Sequence, residues 1–404
     1  MTFPGGLRAL NHRDYRVYYL GQLVALSGTW MQTVAQSWLV LQLTDSPLRL
    51  GLIGTFQFAP LLLFSLLAGA VADRLPKRRL LVAAQSTQAG LALVLATLIW
   101  TGRVQYWHVA GVALLWGCVN AIDQPARQSF VVSLVGRSDL VSAVGLNSAA
   151  FNGARIIGPA IGGVLIARAG IAPAFALNAV AFLVAISALL TVRARGAAAP
   201  RGTTTVAEEI AEGVAYAVRA PRVRLVLGLL LITSFCVFNF TVYVPLLARN
   251  VLGLGSEGFG FLMTALGVGA VAAGLSLGWI GTAPPSLGTM ALALGAALTG
   301  LVTLSAARHF WVAAVLLAAV GFAATTTTAA CNTSLQLLAP DALRGRVMSL
   351  YTLVSGGVFP IGAFWVGAVS EARGVSIAFL VNGLVGLAGL GALMLWWRSR
   401  APRS

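Results

Sequence analysis

The chain has 404 residues, of which 58% are hydrophobic and 9% are charged. Average soluble domains carry roughly 25% charged residues, so this composition excludes a soluble globule. The net charge of +16 does not indicate a nucleic-acid partner, because the basic residues form short clusters between apolar runs and no basic stripe alternates with aromatic residues.

Apolar runs between polar segments predict twelve membrane-spanning helices. A hydrocarbon layer ~30 Å thick needs ~20 helical residues per span, and no alternating pattern suited to a barrel is visible. The first six helices are predicted at 18–43, 48–72, 80–101, 107–134, 140–167 and 171–192. The other six are predicted at 223–250, 257–280, 286–305, 309–338, 346–369 and 375–397.

The segment 193–222 is the predicted linker between the two sets. Apolar residues recur in it at a spacing of four beside three glutamates, and they are Val206, Ile210, Val214 and Val218. This pattern predicts a short amphipathic helix that lies on the membrane surface.

The distribution of lysine and arginine predicts the orientation. The termini, the linker and the loops on their side carry 19 basic residues, whereas the opposite loops carry six. The positive-inside rule then places both termini and the linker in the cytoplasm, for a multi-pass protein of the cell (inner or plasma) membrane. The start of the chain has three arginines but no small-residue cleavage site, so we expect no removed signal peptide.

The two halves are related in sequence at an offset of 204 residues. The matched residues are Tyr106, Trp107, Gly117, Ala174, Phe175, Asn178 and Leu183 in the first half, and Phe310, Trp311, Gly321, Ala378, Phe379, Asn382 and Leu387 in the second. Matches in two separate spans indicate duplication of a six-helix unit. The predicted fold is therefore an all-α polytopic membrane protein with two pseudo-symmetric six-helix bundles, at 1–192 and 223–404, and a substrate path between them.

The loop after the second predicted helix reads GAVADRLPKRRLL from residue 69 to 81. It resembles motif A of the major facilitator superfamily, with Pro76 where that motif has glycine. The residues in pattern are Gly69, Asp73, Arg74, Lys77 and Arg78. The resemblance implies a latch in which the aspartate meets the start of the eleventh helix and the basic residues hold the cytoplasmic side shut. The alternative is that these cations only obey the positive-inside rule.

The fifth predicted helix reads GLNSAAFNGARIIGPAIGG from residue 145 to 163. It is similar to motif C, the antiporter signature of the same superfamily. Five of the six motif positions match, and these are Gly145, Gly158, Pro159, Gly162 and Gly163. The remaining position, between Gly145 and Gly158, is held by Ala154. Small residues let helices approach closely and proline kinks a helix, so we expect a seal or hinge here. The resemblance favours export over uptake, and the alternative is ordinary small-residue packing.

A narrower resemblance covers almost the whole chain. DYRVYYLGQLVALSGTWMQTVAQSWLV, NAIDQPARQSFVVSLV, ARIIGPAIGG and LRGRVMSLY resemble the enterobactin exporter-like branch of major facilitator efflux proteins. That branch includes siderophore and macrolide exporters. The corresponding loop of the second half, at 280–286, lacks the charges of motif A, so any latch is asymmetric.

Charged residues at membrane depth are candidate sites, because inserting each one costs ~2.5–3.5 kcal/mol unless it is compensated. Asp123 and Arg127 are spaced i, i+4 on the fourth predicted helix and can pair on one face, while Arg155 lies in the fifth. In the functional interpretation Asp123 takes up a proton, and an arginine holds an anionic group or responds to that proton. In the alternative the charges form a permanent structural ion pair.

Polar residues on other predicted helices are candidates for a substrate cavity. They are Gln32 and Gln36 beside Trp30 on the first helix, Asn239 and Tyr243 on the seventh, and Asn332 on the tenth. Amides facing lipid are unfavourable, so these side chains are expected to face the interior, where they either bind substrate or bridge helices.

The sequence therefore predicts a secondary active exporter of a small molecule, a siderophore, drug or metabolite, which works by alternating access and is coupled to protons. No phosphate-binding loop, metal cluster or nucleophile arrangement is visible, so we expect no cofactor, no metal and no enzymatic activity. The expected partners are the substrate, protons and membrane lipids, without nucleic acid, and the expected state is a monomer. The alternatives are a passive facilitator or importer, and a lipid flippase whose headgroup site uses Arg127 and Arg155.

Overall fold

The computed structural model describes residues 5–136, 138–194, 214–279, 285–340 and 343–400, with the backbone alone at 5, 65–74, 277–279 and 400. Regular secondary structure in these ranges is entirely helical, and they contain no β-strand. The predicted all-α class is confirmed.

Each of the twelve predicted segments is helical. In chain order the helices are α1 (Arg13–Thr44), α2 (Pro47–Arg74), α3 (Lys77–Trp100), α4 (Tyr106–Val135), α5 (Leu140–Ala169), α6 (Ala172–Thr191), α7 (Pro221–Val251), α8 (Ser256–Trp279), α9 (Leu287–Leu304), α10 (Phe310–Leu338), α11 (Arg344–Arg373) and α12 (Val375–Arg400). A short 3-10 helix, Gly5–Asn11, precedes α1. Residues 214–219 of the predicted amphipathic helix are helical, and the part of it before residue 214 lies outside the described residues.

Within the described ranges, ten of these helices are long and apolar enough to cross a membrane. The other two, α1 and α4, have 32 and 30 residues, so length does not disqualify them. Their polar residues lower their mean hydropathy, and these include Gln32 and Gln36 on α1 and Asp123 and Arg127 on α4. The two helices that look least like membrane spans therefore carry the candidate ion pair and the two candidate glutamines.

The helix α1 begins at Arg13, five residues before the predicted start at residue 18. The additional turn is held by polar contacts that an apolar pattern does not reveal. The carboxylate of Asp14 accepts hydrogen bonds from the backbone of Arg193 and Ala194, at 2.9 and 3.1 Å, and the Tyr15 hydroxyl donates to the carbonyl of Ala143 at 2.9 Å.

The chain divides into two compact units. Unit 1 comprises Met1–Asp45, Phe56–Arg201 and Gly255–Thr264, and unit 2 comprises Ser46–Thr55, Gly202–Leu254 and Ala265–Ser404. The first turns of α2 thus belong to unit 2, and the first turns of α8 belong to unit 1. The bundle boundaries at 192 and 223 stay a prediction, because most of the linker lies outside the described residues.

In unit 1, α1 packs against α4, α5 and α6, and α3 packs against α4 and α6. In unit 2 the corresponding pairs recur six helices later: α7 packs against α10, α11 and α12, and α9 packs against α10 and α12. Equivalent glycines also allow close approaches of α4 to α2 and of α10 to α8. A Cβ at Gly117 would collide with the α2 carbonyl of Gln57, and one at Gly321 would collide with the α8 carbonyl of Leu266. The duplication in sequence therefore has a counterpart in packing.

The ends of two equivalent helices also match at the offset of 204. Gly170 follows α5 with φ +84°, and Gly374 follows α11 with φ +83°. Glycine adopts this left-handed conformation without the steric cost that a Cβ adds, so both helices end at the same point of the repeat.

The helix α7 is interrupted where the candidate residue Asn239 lies. A π-helical turn at Thr233–Val237 precedes the interruption, and a second one at Leu247–Val251 follows Pro245. The Asn239 side-chain amide donates to the carbonyl of Phe235 at 2.7 Å. This side chain therefore replaces a backbone donor at the break, and such interruptions are common at functional sites.

Candidate functional site

The centre of unit 1 holds an ion pair between two α4 residues, Asp123 and Arg127. Asp123 is 2% exposed, and its Oδ2 accepts from the guanidinium of Arg127 one turn along the helix. Arg127 also donates to the side-chain oxygen of Gln22 on α1. The planar guanidinium can donate in two directions at once, so it joins α1 to α4 while it neutralises the carboxylate.

One oxygen of this carboxylate is not used. Asp123 Oδ1 is buried, and it accepts no hydrogen bond from any described residue. A buried carboxylate with a free oxygen has a position at which a proton can bind without displacing an existing donor. The pair therefore combines a compensated charge with an unoccupied acceptor, which a purely structural salt bridge does not require.

The third candidate charge, Arg155 on α5, is placed elsewhere. Its guanidinium carbon lies 5.6 Å from the centre of the Trp30 ring on α1, and Trp30 also packs edge-to-face on Phe151 at 5.7 Å. Asp123 forms its salt bridge with Arg127 instead. The structure therefore brings Arg155 together with the predicted cavity residue Trp30, through a cation–π contact.

The two glutamines of α1 bridge helices. The Asn178 amide on α6 donates to the side-chain oxygen of Gln32 at 2.6 Å, and the Gln36 amide donates to Gln57 of α2 at 3.2 Å. Of the two roles considered for these glutamines, the contacts show bridging inside unit 1.

The candidate Tyr243 of unit 2 belongs to a hydrogen-bonded network around Asn382 on α12. This asparagine donates to the hydroxyl of Tyr243 on α7 and accepts from the indole nitrogen of Trp365 on α11 at 2.9 Å. The Tyr243 ring stacks on Phe379 with ring centres 4.4 Å apart. The sequence identified Tyr243 but not Trp365, because an indole on an apolar helix looks like a packing residue until its N–H has a partner.

The other polar candidate of unit 2, Asn332, is half-buried on α10 and accepts from Gln336 at 2.5 Å. Its helix also carries a run of threonines whose hydroxyls bond to their own helix four residues back, and these are Thr326, Thr327 and Thr328. Such back-bonding leaves few free hydroxyls on this face of α10.

The motif A residues are only partly described. The side chains of Gly69, Asp73 and Arg74 lie outside the described part of α2, so the predicted contact of Asp73 with α11 stays a prediction. Arg78 donates to the carbonyl of Leu190 in the last turn of α6 at 2.6 Å, and Lys77 is 2% exposed at the start of α3. A cation at a helix C-terminus is favourable, so Arg78 stabilises the packing of α3 against α6.

The motif C residues of α5 face two helices. A Cβ at Gly158 would lie 2.7 Å from the α1 carbonyl of Ser27, and one at Gly162 would lie 3.1 Å from that of Met31. On the other side, a Cβ at Gly163 would lie 2.8 Å from the α8 carbonyl of Ser256. Backbone therefore approaches backbone at each of these glycines, which larger residues prevent.

The remaining motif C positions differ among themselves. Ala154 is fully buried, and Pro159 sits between the two glycine contacts with its carbonyl facing Gly260 of α8. Gly145 is exposed, and a Cβ there would meet no atom within 4 Å. The close packing is thus confined to the stretch from Ala154 to Gly163.

The second half contains a counterpart of motif C that the sequence analysis missed. Gly362 and Gly367 of α11 lie 204 residues after Gly158 and Gly163. A Cβ at Gly362 would collide with Asn239 of α7, and one at Gly367 would lie 3.0 Å from the Cα of Gly51 on α2. The offset of 204 was the available signal, since it relates both pairs.

At the same end of α11, the carboxylate of Glu371 caps the start of α2. Its Oε2 accepts from the Ser46 hydroxyl at 2.8 Å and from the Leu48 backbone N–H at 3.1 Å. A carboxylate at a helix N-terminus is stabilised by the free N–H groups there. Together with the contact of Gly51 and Gly367, this cap fastens the first turns of α2 to α11 inside unit 2.

Comparisons with known proteins place this arrangement in a family. A family model described as transmembrane secretion effector matches residues 5–403. The staphyloferrin A transporter of Staphylococcus aureus is 24% identical over 91% of this chain and 92% of its own. The multidrug efflux pump Tap of Mycolicibacterium fortuitum is 29% identical over 90% of each chain, and the enterobactin exporter EntS of Shigella boydii is 25% identical over 95% of this chain and 91% of its own.

Solved structures show the fold alone at this level of identity. The nucleoside transporter NupG superposes with a TM-score of 0.72 at 13% identity, over 95% of this chain and 99% of that one. A bacterial homologue of the human lysosomal transporter Spinster superposes with a TM-score of 0.68 at 15% identity, over 95% of this chain and 94% of that one.

The predicted resemblance to major facilitator efflux proteins is confirmed, as is the expectation of a transporter rather than an enzyme. This chain is a multi-pass membrane transporter of the major facilitator fold and belongs to the transmembrane secretion effector family.

Proposed function

We propose that this protein is a secondary active exporter of a small molecule, which works by alternating access and draws its energy from protons that move inward. The observation that carries the proposal is the buried ion pair of Asp123 and Arg127 with its free carboxylate oxygen. One elementary charge that moves across 100 mV releases ~2.3 kcal/mol, which is enough to bias two conformations of similar energy.

The ion pair couples protonation to conformation through a charge that cannot be left unpaired. A proton on Asp123 removes the counter-charge of Arg127, whose side chain is 25% exposed. A partly buried cation without a counter-charge is unfavourable, so the protonated state favours a conformation in which Arg127 gains water or an anionic group. Loss of the proton restores the pair and the first conformation. The protonated and ionised forms of Asp123 thereby favour two different arrangements of α4 relative to α1.

Three relatives support a small molecule as the cargo, and two of them support export as the direction. Their names describe a staphyloferrin A transporter, a multidrug efflux pump and an enterobactin exporter. We therefore propose a siderophore, drug or metabolite as substrate, with protons and membrane lipids as the other partners. The proposed setting is the cell membrane, with both termini in the cytoplasm and the protein as a monomer.

Transport into everted membrane vesicles tests the coupling. The probes are fluorescent drug-like dyes and labelled siderophores, each offered with and without an imposed pH gradient. Wild-type protein is expected to accumulate at least one probe only when the gradient is present. Asp123→Asn is expected to abolish gradient-driven accumulation, because the amide keeps the shape of the side chain but cannot take up a proton.

The matched control is Glu257→Gln, which removes the same charge from an exposed position at the start of α8. It is expected to transport as the wild type does. Full gradient-driven activity in Asp123→Asn would refute the coupling assignment. Wild-type movement that ignores the gradient would indicate a passive facilitator or importer, and movement of labelled phospholipid alone would indicate a flippase.

A further inference from the structure

Around the ion pair, unit 1 contains buried polar atoms that no described residue satisfies. They are Asp123 Oδ1, the Tyr18 hydroxyl, Gln22 Nε2, both side-chain heteroatoms of Gln85, and Gln88 Oε1. The five side chains that carry them are all at least 95% buried, with exposed fractions from 0% for Gln85 to 4% for Gln22. The mechanism proposed above uses only the first of these atoms.

Contacts place the residues of α1 and α4 together. Arg127 bonds to both Asp123 and Gln22, and Tyr18 lies within electrostatic range of Asp123 and Arg127. The Tyr18 ring also packs edge-to-face on Phe130, with ring centres 5.6 Å apart. Tyr18 and Gln22 are one turn apart on α1, so both line the same side of the ion pair.

Helical register places Gln85 at the same level. On α3, Leu81 packs in one buried cluster with Tyr18, and Ala89 packs in another with Ala25 of α1. Gln85 lies one turn from each of these two α3 residues, on the same face. On α1, Gln22 likewise lies about one turn from both Tyr18 and Ala25. Gln85 therefore lies at the level of Gln22, on the buried side of α3 that packs against α4 and α6, with Gln88 in the next turn of α3.

Burial of these atoms without partners is energetically unfavourable. Native proteins satisfy such groups with internal water. An internal water molecule makes about three hydrogen bonds, so the six unpaired atoms need about two molecules. Acceptors and donors are both present, since carboxylate and amide oxygens accept while the hydroxyl and amide nitrogens donate.

We propose that Tyr18, Gln22, Gln85 and Gln88 form a hydrated pocket that holds water against Asp123 Oδ1 and delivers the coupled proton to it. This inference rests on the proposed function and adds four positioning residues to it. In the delivery step, a hydronium ion at the edge of the pocket loses one proton and becomes water. The proton passes along the bound water, and the Asp123 carboxylate gains it. No proton is consumed or left over.

Few other charges face this pocket. On the packed helices the groups that titrate or carry charge nearby are Tyr18 with its neighbours Tyr15 and Tyr19 on α1, and Arg127 on α4. Asp14, one turn before Tyr18, is bonded to the backbone of Arg193 and Ala194. The basic residues of α3 all lie in its first turn, and α6 contains no ionisable residue. Of the carboxylates on these described helices, Asp123 is therefore the buried one with an unpaired oxygen beside the pocket.

Radiolytic footprinting of the purified full-length protein tests hydration without any substrate. X-ray irradiation converts bound water into hydroxyl radicals, which oxidise side chains beside it, and mass spectrometry locates the oxidised residues. Tyr18 is expected to be oxidised although it is buried. Tyr243 is the internal control, because it is equally buried but its hydroxyl is bonded to Asn382. If Tyr18 is oxidised no faster than Tyr243 in the wild-type protein, the proposal is overturned, and this result requires no variant.

The variant Gln85→Leu tests the positioning role. It removes both amide heteroatoms at similar volume, so Tyr18 oxidation is expected to fall severalfold and gradient-driven transport to be lost, while downhill movement of the same dye continues. The matched control is Thr87→Val, an exposed position on the same helix whose hydroxyl bonds only to its own backbone. Unchanged Tyr18 oxidation in Gln85→Leu, or coupling at the wild-type level, would overturn the proposal.

Failure of the proposed function gives a different result. If proton coupling through Asp123 is wrong, Asp123→Asn keeps its gradient-driven transport. Tyr18 is still expected to be oxidised in the wild-type protein in that case, because hydration of the pocket does not depend on coupling. A dry pocket, in contrast, removes this inference but leaves the effect of Asp123→Asn in place.

Discussion

Two asparagines at equivalent positions of the repeat show how single residues hold the helices together. Asn178 joins α6 to α1 through one hydrogen bond to Gln32, whereas Asn382 joins α12 to two helices, through Tyr243 and Trp365. The offset of 204 identifies the asparagines from sequence. Their partners depend on how each helix is rotated, which the sequence pattern does not specify to within one residue.

Replacing Asn382 with leucine is expected to destabilise the protein more than replacing Asn178. Asn382→Leu leaves the Tyr243 hydroxyl and the Trp365 N–H without partners, at about 1 kcal/mol or more for each, while Asn178→Leu releases one acceptor. Thermal unfolding of the purified variants in detergent measures the difference. An equal or larger loss in Asn178→Leu would contradict this account.

The candidate ion pair shows both the reach and the limit of sequence reasoning at this scale. The i, i+4 spacing of Asp123 and Arg127 predicts their pairing, because helical geometry alone brings such residues together. Gln22 was missed as the second partner of Arg127, since a lone glutamine near the start of α1 has no feature that distinguishes it from a solvated residue. The membrane depth of Arg155 stays a prediction, and its contact with Trp30 depends on the packing of α5 against α1.

At the scale of elements, glycines determine where helices meet. The helices themselves were predictable, since each needs only a long apolar run. The extra first turn of α1 and the interruption of α7 were not, because both depend on side-chain hydrogen bonds to distant or local backbone. The motif C resemblance located the contact face of α5, and the repeat offset extends it to α11.

Gly163→Ala is expected to reduce both stability and transport. The added Cβ would lie 2.8 Å from the Ser256 carbonyl and 2.9 Å from the Gly260 Cα, so the start of α8 has to move away from α5. Vesicle transport and thermal unfolding measure the two effects.

Gly145→Ala is the control for that variant, because it alters another position of the same motif where a Cβ meets open space. Alanine also favours a helix over glycine by ~1 kcal/mol, so this variant is expected to be at least as stable as the wild type. Equal behaviour of the two variants would show that the close packing of α5 and α8 has no role in transport.

At the scale of the whole molecule, the distribution of charge predicts the orientation in the membrane. The 19 to six distribution of basic residues predicts that the loop after α4 is cytoplasmic and that the loop before it is external. Single cysteines test this on a background in which the three native cysteines are replaced by alanine, namely Cys118, Cys236 and Cys331. Ser138→Cys and Gln105→Cys are suitable positions, because both are exposed.

A membrane-impermeant maleimide added to intact cells is expected to label Gln105→Cys. It should label Ser138→Cys only after the membrane is permeabilised. The reverse pattern would invert the topology, and with it the proposed direction of proton and substrate movement.

The central claim is that the protein transports by alternating access. Because α2 belongs to the predicted bundle 1–192 and α11 to the predicted bundle 223–404, we expect the first turns of α2, which lie in unit 2 in this structure, to separate from α11 in every cycle. These segments meet at Ser46 and Glu371, whose side-chain oxygens lie 2.8 Å apart. The direct measurement is vesicle transport by the double variant Ser46→Cys/Glu371→Cys after treatment with a short, reducible bifunctional thiosulfonate, with each single variant as a control. The account predicts that the cross-link stops transport and that a reductant restores it, and full transport by the cross-linked protein would contradict it.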